Sequence, residues 1–150
     1  MIAYPDASFL CSLYRRQEHS PAAITYREKM TEPLHVTALL QFEFLQAIRL
    51  QVWAHAQDKK RGYSQSEADQ MMTDWTSDVA SGVIEMVQCD SLLVLDMAER
   101  LSVQHTARTG HRTLDILHVA TAVHLRAAEF LTFDQRQKSL ARAAGLKTPL

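Results

Sequence analysis

The chain predicts an α/β domain with a mainly parallel sheet covered by helices on both faces. Two observations carry that prediction. Short apolar segments bounded by turn or polar residues recur along the sequence, and between them the hydrophobic pattern changes to the helical period. A third observation sets the domain count: no repeat, low-complexity tract or linker interrupts the 150 residues. One domain spanning residues 1–150 follows.

The first apolar segment is Ile2 to Tyr4, followed at once by Pro5 and Asp6. Proline suits a strand only where the ladder ends, so Pro5 reads as the exit of the strand. Ser8 to Gln17 reads as a first helix. Ser20-Pro21 has the form of an N-cap followed by proline at the first helical position, opening a second helix to about Met30. Leu34 to Thr37 is the second strand. A long helix from about Ala38 to Gln57 then carries Leu39, Leu40, Phe44, Ala47, Leu50 and Ala54 near one face. Lys59-Lys60-Arg61-Gly62 ends it with cations at its negative pole and a glycine beyond. Ser64-Gln65-Ser66-Glu67 fits a capping box for a helix to about Ser81. Val83 to Val87 is the third strand. Asp90 caps a helix from Ser91 to about Thr106, and Thr113 begins another to Ala127. Glu129 to Phe133 is the fourth strand, Gln135 to Ala144 the last helix, and Leu146 to Thr148 a weak fifth strand.

With 47 % hydrophobic residues, the domain is large enough to bury a core without disulfides. Cys11 and Cys89 lie in apolar surroundings without metal-type spacing and read as reduced, buried thiols of a cytoplasmic protein. No basic segment precedes a long apolar one, and no stretch approaches the roughly 18 uncharged apolar residues of a membrane span. Sixteen basic against seventeen acidic residues argue against a strongly basic nucleic-acid coat, though not against an enzyme that meets a polynucleotide briefly.

Four carboxylates stand where simple rules do not want them. Asp6 and Asp134 follow strands; each alone reads as a turn residue or helix cap. Glu43, in TALLQFEFLQAIR, falls on the apolar stripe of its helix, where it must neutralise, snorkel or meet a cation. Asp115 is in the first turn of its helix, where the macrodipole favours an acid, and His118 shares its face. Ligands of open α/β sheets collect beyond the carboxyl ends of the strands. Four acids converging there would repel, by roughly 4 kcal/mol per pair 4 Å apart at an effective dielectric near 20. A shared cation relieves this, and the four acids are expected to lie within about 4–8 Å of one another, the reach of such an ion and its bound waters. All-oxygen ligation suits Mg²⁺ or Mn²⁺ rather than zinc, and a hard cation open to water is the apparatus of phosphodiester hydrolysis.

Three blocks of sequence extend this reading. YPDASFLCSLY resembles the opening of PIN-domain nucleases, in which a first strand delivers an aspartate followed two residues later by Ser or Thr, here Asp6 and Ser8. VTALLQFEFLQAIR resembles the second block, with its acid at Glu43. RTLDILHVATAVHLRAAEFLTFDQRQKSLARAAGLK is similar to the third block of the VapC-like toxin branch, with acids at Asp115 and Asp134. The stretch from about Tyr63 to Val87 carries little signature, and Pro5 stands where the family has an ordinary strand hydrophobe. The resemblance implies a PIN-like three-layer α/β/α fold with a mainly parallel five-stranded sheet. It implies endonucleolytic RNA cleavage with Mg²⁺ or Mn²⁺, a cognate antitoxin and a homodimer. It also implies that Asp6, Glu43, Asp115 and Asp134 form the catalytic and metal-binding cluster, with Asp6 and Asp115 the more direct ligands and Ser8 in support.

Arg108, His111 and Arg112 precede the Asp115 helix and are candidates for phosphate contact, as are Arg15 and Arg16; a solvated loop or helix face is the alternative. Trp53, Trp75 and Met71-Met72 read as core or as dimer or antitoxin surface rather than base-stacking platforms, with Trp53 open to either reading. Besides the toxin-type endoribonuclease, the same residues allow a PIN-like binding or scaffold module without catalysis. A phosphotransferase with a nucleophilic aspartate ranks last, because Ser8 stands where such enzymes place a second aspartate.

Overall fold

The structure is a computed structural model and describes residues 1–150. Four short strands and eight helices alternate along it: β1 (Ala3–Pro5), α1 (Ala7–Tyr14), α2 (Ser20–Lys29), β2 (Leu34–Val36), α3 (Ala38–Gln57), α4 (Gln65–Ala80), β3 (Ile84–Met86), α5 (Ser91–Leu101), α6 (Ala107–Thr109), α7 (Thr113–His124), β4 (Glu129–Leu131) and α8 (Gln135–Ala143). Both strand pairings are parallel, β1 with β4 and β2 with β3. The helices pack mainly in two groups, α1 to α4 and α5 to α8. Tyr4, Phe9, Leu34, Leu40, Phe44, Ile48, Val119, Phe130 and Leu131 are fully enclosed between them. Strands this short are held by burial on both faces more than by their own ladders.

The expected five-stranded sheet is not formed; the strands make two separate pairs. The physical reason lies at Pro5. In a parallel ladder, alternate residues turn their N–H and C=O toward opposite neighbours. Ile2 C=O accepts from Ala128 N, and Asp6 N donates to Leu131 O, both at 2.9 Å, so residues 2, 4 and 6 face β4. Ala3 and Pro5 therefore face β2, and Pro5 has no N–H to give it. The strands β1 and β2 lie side by side without a ladder. The weak fifth strand contracts to one bridge, Glu129 with Lys147, made by Phe130 N to Lys147 O at 2.8 Å and Lys147 N to Ala128 O at 3.1 Å.

Local signals hold at most helix ends. Ser64 and Glu67 form the expected capping box, and Asp90 accepts from Leu92 N and Leu93 N at the start of α5. Ser20 differs: it is the first helical residue, and His19 occupies the cap position. Its hydroxyl accepts from Gln17 N and lies within bonding distance of Ser12 O and Arg15 O, serving the α1–α2 turn instead. On α3, Leu40, Phe44, Ile48 and Ala54 are buried, whereas Leu39 and Leu50 lie on the exposed flank. The helix opened by Asp90 also runs past Thr106, through a π-helical turn at Ser102–Thr106 into α6, and stops at Gly110 in the left-handed region.

Gly62, beyond α3, has φ of +59°, and a Cβ there would stand 2.0 Å from Gln51 O. Gly62→Ala is expected to lower stability by about 2 kcal/mol or more, read from the urea unfolding midpoint. Pro5→Leu supplies the missing donor toward β2. The new residue-5 amide is expected to be protected in hydrogen exchange. Total stability should stay within about 1 kcal/mol, because the unfolded chain regains the freedom that proline removes.

Candidate active site

Asp6 leaves β1 toward β4 and is the N-cap of α1, so it has a local role as well as a place at the strand ends. It is 3 % exposed. Its Oδ1 accepts from Ser8 Oγ at 2.7 Å and Phe9 N at 2.8 Å, and its Oδ2 accepts from Thr132 Oγ1 at 2.5 Å. Burial pushes its pKa above the ordinary carboxylate value, while these three donors pull the other way. Ser8 Oγ also accepts from Phe133 N, tying α1 to the exit of β4.

Thr132 follows β4. Its hydroxyl gives its proton to Asp6 and accepts from Asp134 N at 3.0 Å. Asp134 caps α8 through Oδ1, which accepts from Arg136 N and Gln137 N. The spacing of Asp134 and Gln137 resembles a capping box, yet the Gln137 amide points elsewhere. Its Nε2 donates to Asp115 Oδ1 at 3.1 Å, and its Oε1 lies 3.4 Å from Thr132 Oγ1. Asp115, 6 % exposed, also receives Arg112 Nε on Oδ2 at 2.9 Å and Arg112 Nη2 on Oδ1 at 3.4 Å. The same Nη2 is 3.6 Å from Asp134 Oδ2. The three aspartates, from three distant segments, thus share one network through Thr132, Gln137 and Arg112.

Glu43 reaches His118 rather than this network. Its Oε2 lies 2.6 Å from His118 Nε2, a close polar contact that lacks hydrogen-bond geometry. His118 is fully buried one turn after Asp115. Its Nδ1 is 3.2 Å from Tyr4 Oη, which is 3.1 Å from Thr37 Oγ1. Burial drives the Tyr4 hydroxyl well above its ordinary pKa, so it stays a neutral donor. Thr37 Oγ1 also accepts from Leu40 N, so Thr37, Tyr4 and His118 Nδ1 form one buried chain that orients the imidazole and leaves its Nε2 side for Glu43.

The donor set is all oxygen, with Glu43 Oε2 buried and lacking a hydrogen-bond partner, a chemistry that fits Mg²⁺ or Mn²⁺. As the side chains stand, however, no group of three or more His, Cys, Asp or Glu is gathered to hold an ion. Arg112 supplies the counter-charge to Asp115 and Asp134 instead, and the His118 ring stands against Glu43. Of the sequence candidates for phosphate contact, Arg108 is exposed and donates to Gln104 O of its own helical segment. Arg15 pairs with Glu67 and lies over the Tyr63 ring. Thr132, Gln137, Tyr4 and Thr37 escaped the sequence reading; only Thr132, next to the β4 exit, offered a positional signal.

His111 is 9 % exposed with Nδ1 unpartnered, so it is a buried residue rather than a free surface cation. Desolvation lowers its pKa below 6.5. The folded protein therefore prefers the neutral ring. Its contribution is complete above about pH 6.5 and is lost as pH falls below that value. His111→Gln is expected to flatten the fall in thermal midpoint between about pH 7 and pH 5.5, measured by circular dichroism.

Comparison with known proteins agrees with this architecture. No curated protein sequence matches the chain. Among solved structures, FitAcB from Neisseria gonorrhoeae superposes with a TM-score of 0.67, covering 98 % of this chain and 96 % of that chain at 13 % identity, which is a likeness of fold. The PIN domain family matches residues 3–143, from the start of β1 to the end of α8, a span that contains every residue of the acidic network. The chain belongs to the PIN domain family.

Proposed function

We propose that this protein is a metal-dependent endoribonuclease of the VapC-like toxin branch, hydrolysing RNA phosphodiester bonds at a carboxylate centre made by Asp6, Glu43, Asp115 and Asp134. PIN domains are in general nucleases that need a divalent metal, and that is the base of the reading. The observation that carries it further is the shared network of Asp6, Asp115 and Asp134. Three aspartates distant in sequence meet through Thr132, Gln137 and Arg112, which isolated caps would not require.

Asp6 and Asp115 are the buried ligands, held in place by Ser8, Phe9 N, Thr132 and Gln137; Asp134 and the Glu43–His118 pair complete the set. A bound Mg²⁺ or Mn²⁺ would supply an activated water and charge stabilisation on the phosphate. The chain's own part is to fix the carboxylates from two sides, so that little reorganisation is needed when charge develops. In hydrolysis, water oxygen bonds to phosphorus, the bond from phosphorus to the leaving ribose oxygen breaks, and a proton passes to that oxygen.

The wider assignment is part of the same proposal: a cytoplasmic protein, a homodimer, held silent by an antitoxin. No helix is long and apolar enough to cross a membrane. Large apolar side chains stand out from α3 and α5, with Phe42 62 %, Trp53 59 % and Leu92 76 % exposed, which supports protein partners. A second reading, a PIN-like binding module without catalysis, draws on one observation: the acids are neutralised by the chain's own cation and are not gathered around an ion site.

Asp6→Asn separates the two. The amide is nearly isosteric: it removes a charge that burial opposes but cannot accept from Thr132 at the Oδ2 position, so the fold is expected to survive with the thermal midpoint shifted by no more than about 5 °C. Cleavage of RNA in Mg²⁺ or Mn²⁺ is expected to fall by about a hundredfold or more. Absence of any cleavage by the wild-type protein, purified free of antitoxin and assayed on diverse RNAs, would favour the binding module.

A further inference from the structure

Arg112 occupies an odd place. It is the N-cap of α7, where Ser, Thr, Asp or Asn would accept from the first free N–H groups, and its side chain makes no cap bond. A cation there also opposes the helix macrodipole. What holds it is the pair of carboxylates in front of it. Its Nε and Nη2 contact Asp115 at 2.9 and 3.4 Å, and Nη2 lies 3.6 Å from Asp134 Oδ2. The partners are unequal in exposure: the Asp115 side chain is 8 % exposed, that of Asp134 34 %, and that of Arg112 68 %. The carboxylates are fixed by Gln137, Arg136 N and Gln137 N, whereas the guanidinium has an open path to solvent.

We infer that Arg112 is a built-in counter-ion that occupies Asp115 and Asp134 until a divalent cation displaces it, and that the released guanidinium, still tethered beside the site, receives the RNA phosphate. The inference rests on the reading of the acidic cluster as a metal centre. One arginine against two carboxylates leaves a net charge of about −1, so the pair is partly compensated without a metal and an incoming cation competes with the guanidinium. An arginine freed in this way presents a planar fork suited to a phosphate.

The test is Mn²⁺ affinity of the isolated full chain, by titration calorimetry or electron paramagnetic resonance, at fixed pH and without RNA. Arg112→Gln removes the competing charge and is expected to bind Mn²⁺ about tenfold more tightly, the ratio that loss of one charge-assisted contact corresponds to. At saturating Mn²⁺ the same variant is expected to cut RNA more slowly. Opposite movements of metal affinity and cleavage are the signature, because a residue that merely holds the fold would weaken both. Arg112→Lys keeps the charge but loses the two-pronged contact, and its Mn²⁺ affinity is expected to lie between the two. It also decides the matter if Arg112→Gln does not fold: an affinity equal to or below wild type overturns the inference. Unchanged or weaker Mn²⁺ binding by folded Arg112→Gln, with wild-type binding still abolished by Asp6→Asn, overturns the role of Arg112 alone. No Mn²⁺ binding by the wild-type chain overturns the metal-centre reading, and this inference with it.

Discussion

The parallel pairing of β1 with β4 is the constraint on which the site depends. It joins the first residues of the chain to residues 129–131, and the last bond along it, Asp6 N to Leu131 O, sets position 6 beside position 132. From there the side chains take over: Ser8 Oγ reaches Phe133 N, Thr132 Oγ1 reaches Asp6, and Asp134 opens α8. Closing a loop of this length is entropically costly, and burial of Tyr4, Phe130 and Leu131 on both faces of the pair offsets it. Were the register to slip by one residue, Asp6 N would lose its acceptor, Leu131 O, and the Asp6 carboxylate would turn away from Thr132.

The second organising fact is charge. Three aspartates and a glutamate at one end of the strands cannot all remain ionised without compensation. The protein divides the load. Hydrogen bonds from Ser8, Phe9 N and Thr132 hold Asp6, the guanidinium of Arg112 spans Asp115 and Asp134, and His118 stands against Glu43. Each compensating group is itself oriented, His118 through Tyr4 and Thr37, and Gln137 through its place in the first turn of α8. Asp6 and Asp115, whose oxygens are hydrogen-bonded from several sides, are held rigidly, whereas Glu43 Oε2 is buried without a hydrogen-bond partner.

Pro5 connects the two themes. It denies β2 a ladder partner and so splits the sheet, while it fixes φ immediately before Asp6. The strand that carries the buried aspartate is thereby attached on one side only, to β4. Pro5 is thus a rigid mount for the buried Asp6 whose cost falls on the opposite neighbour.

Much was legible in the residues alone. The alternation of strands and helices, the capping box at Ser64 and Glu67, the Asp90 cap and the positions of the four acids follow from local spacing, because caps and periodicity depend on residues within one or two turns. The membership of the chain in the PIN family was legible for the same reason, since its blocks are contiguous stretches. The partners of the acids were not. That Gln137 forsakes the backbone for Asp115, that His118 faces Glu43 across two helices, and that Arg112 spans two aspartates depend on how distant segments dock. The splitting of the sheet at Pro5 likewise depends on which edge of β1 faces β2, a matter of register. Sequence by itself determined which groups the domain carries and which element each belongs to, through short-range sterics and hydrogen bonding. Only the tertiary structure decided which of those groups meet, because that is set by the docking of separate elements, from Arg112 on Asp134 to Thr132 on Asp6, 126 positions apart.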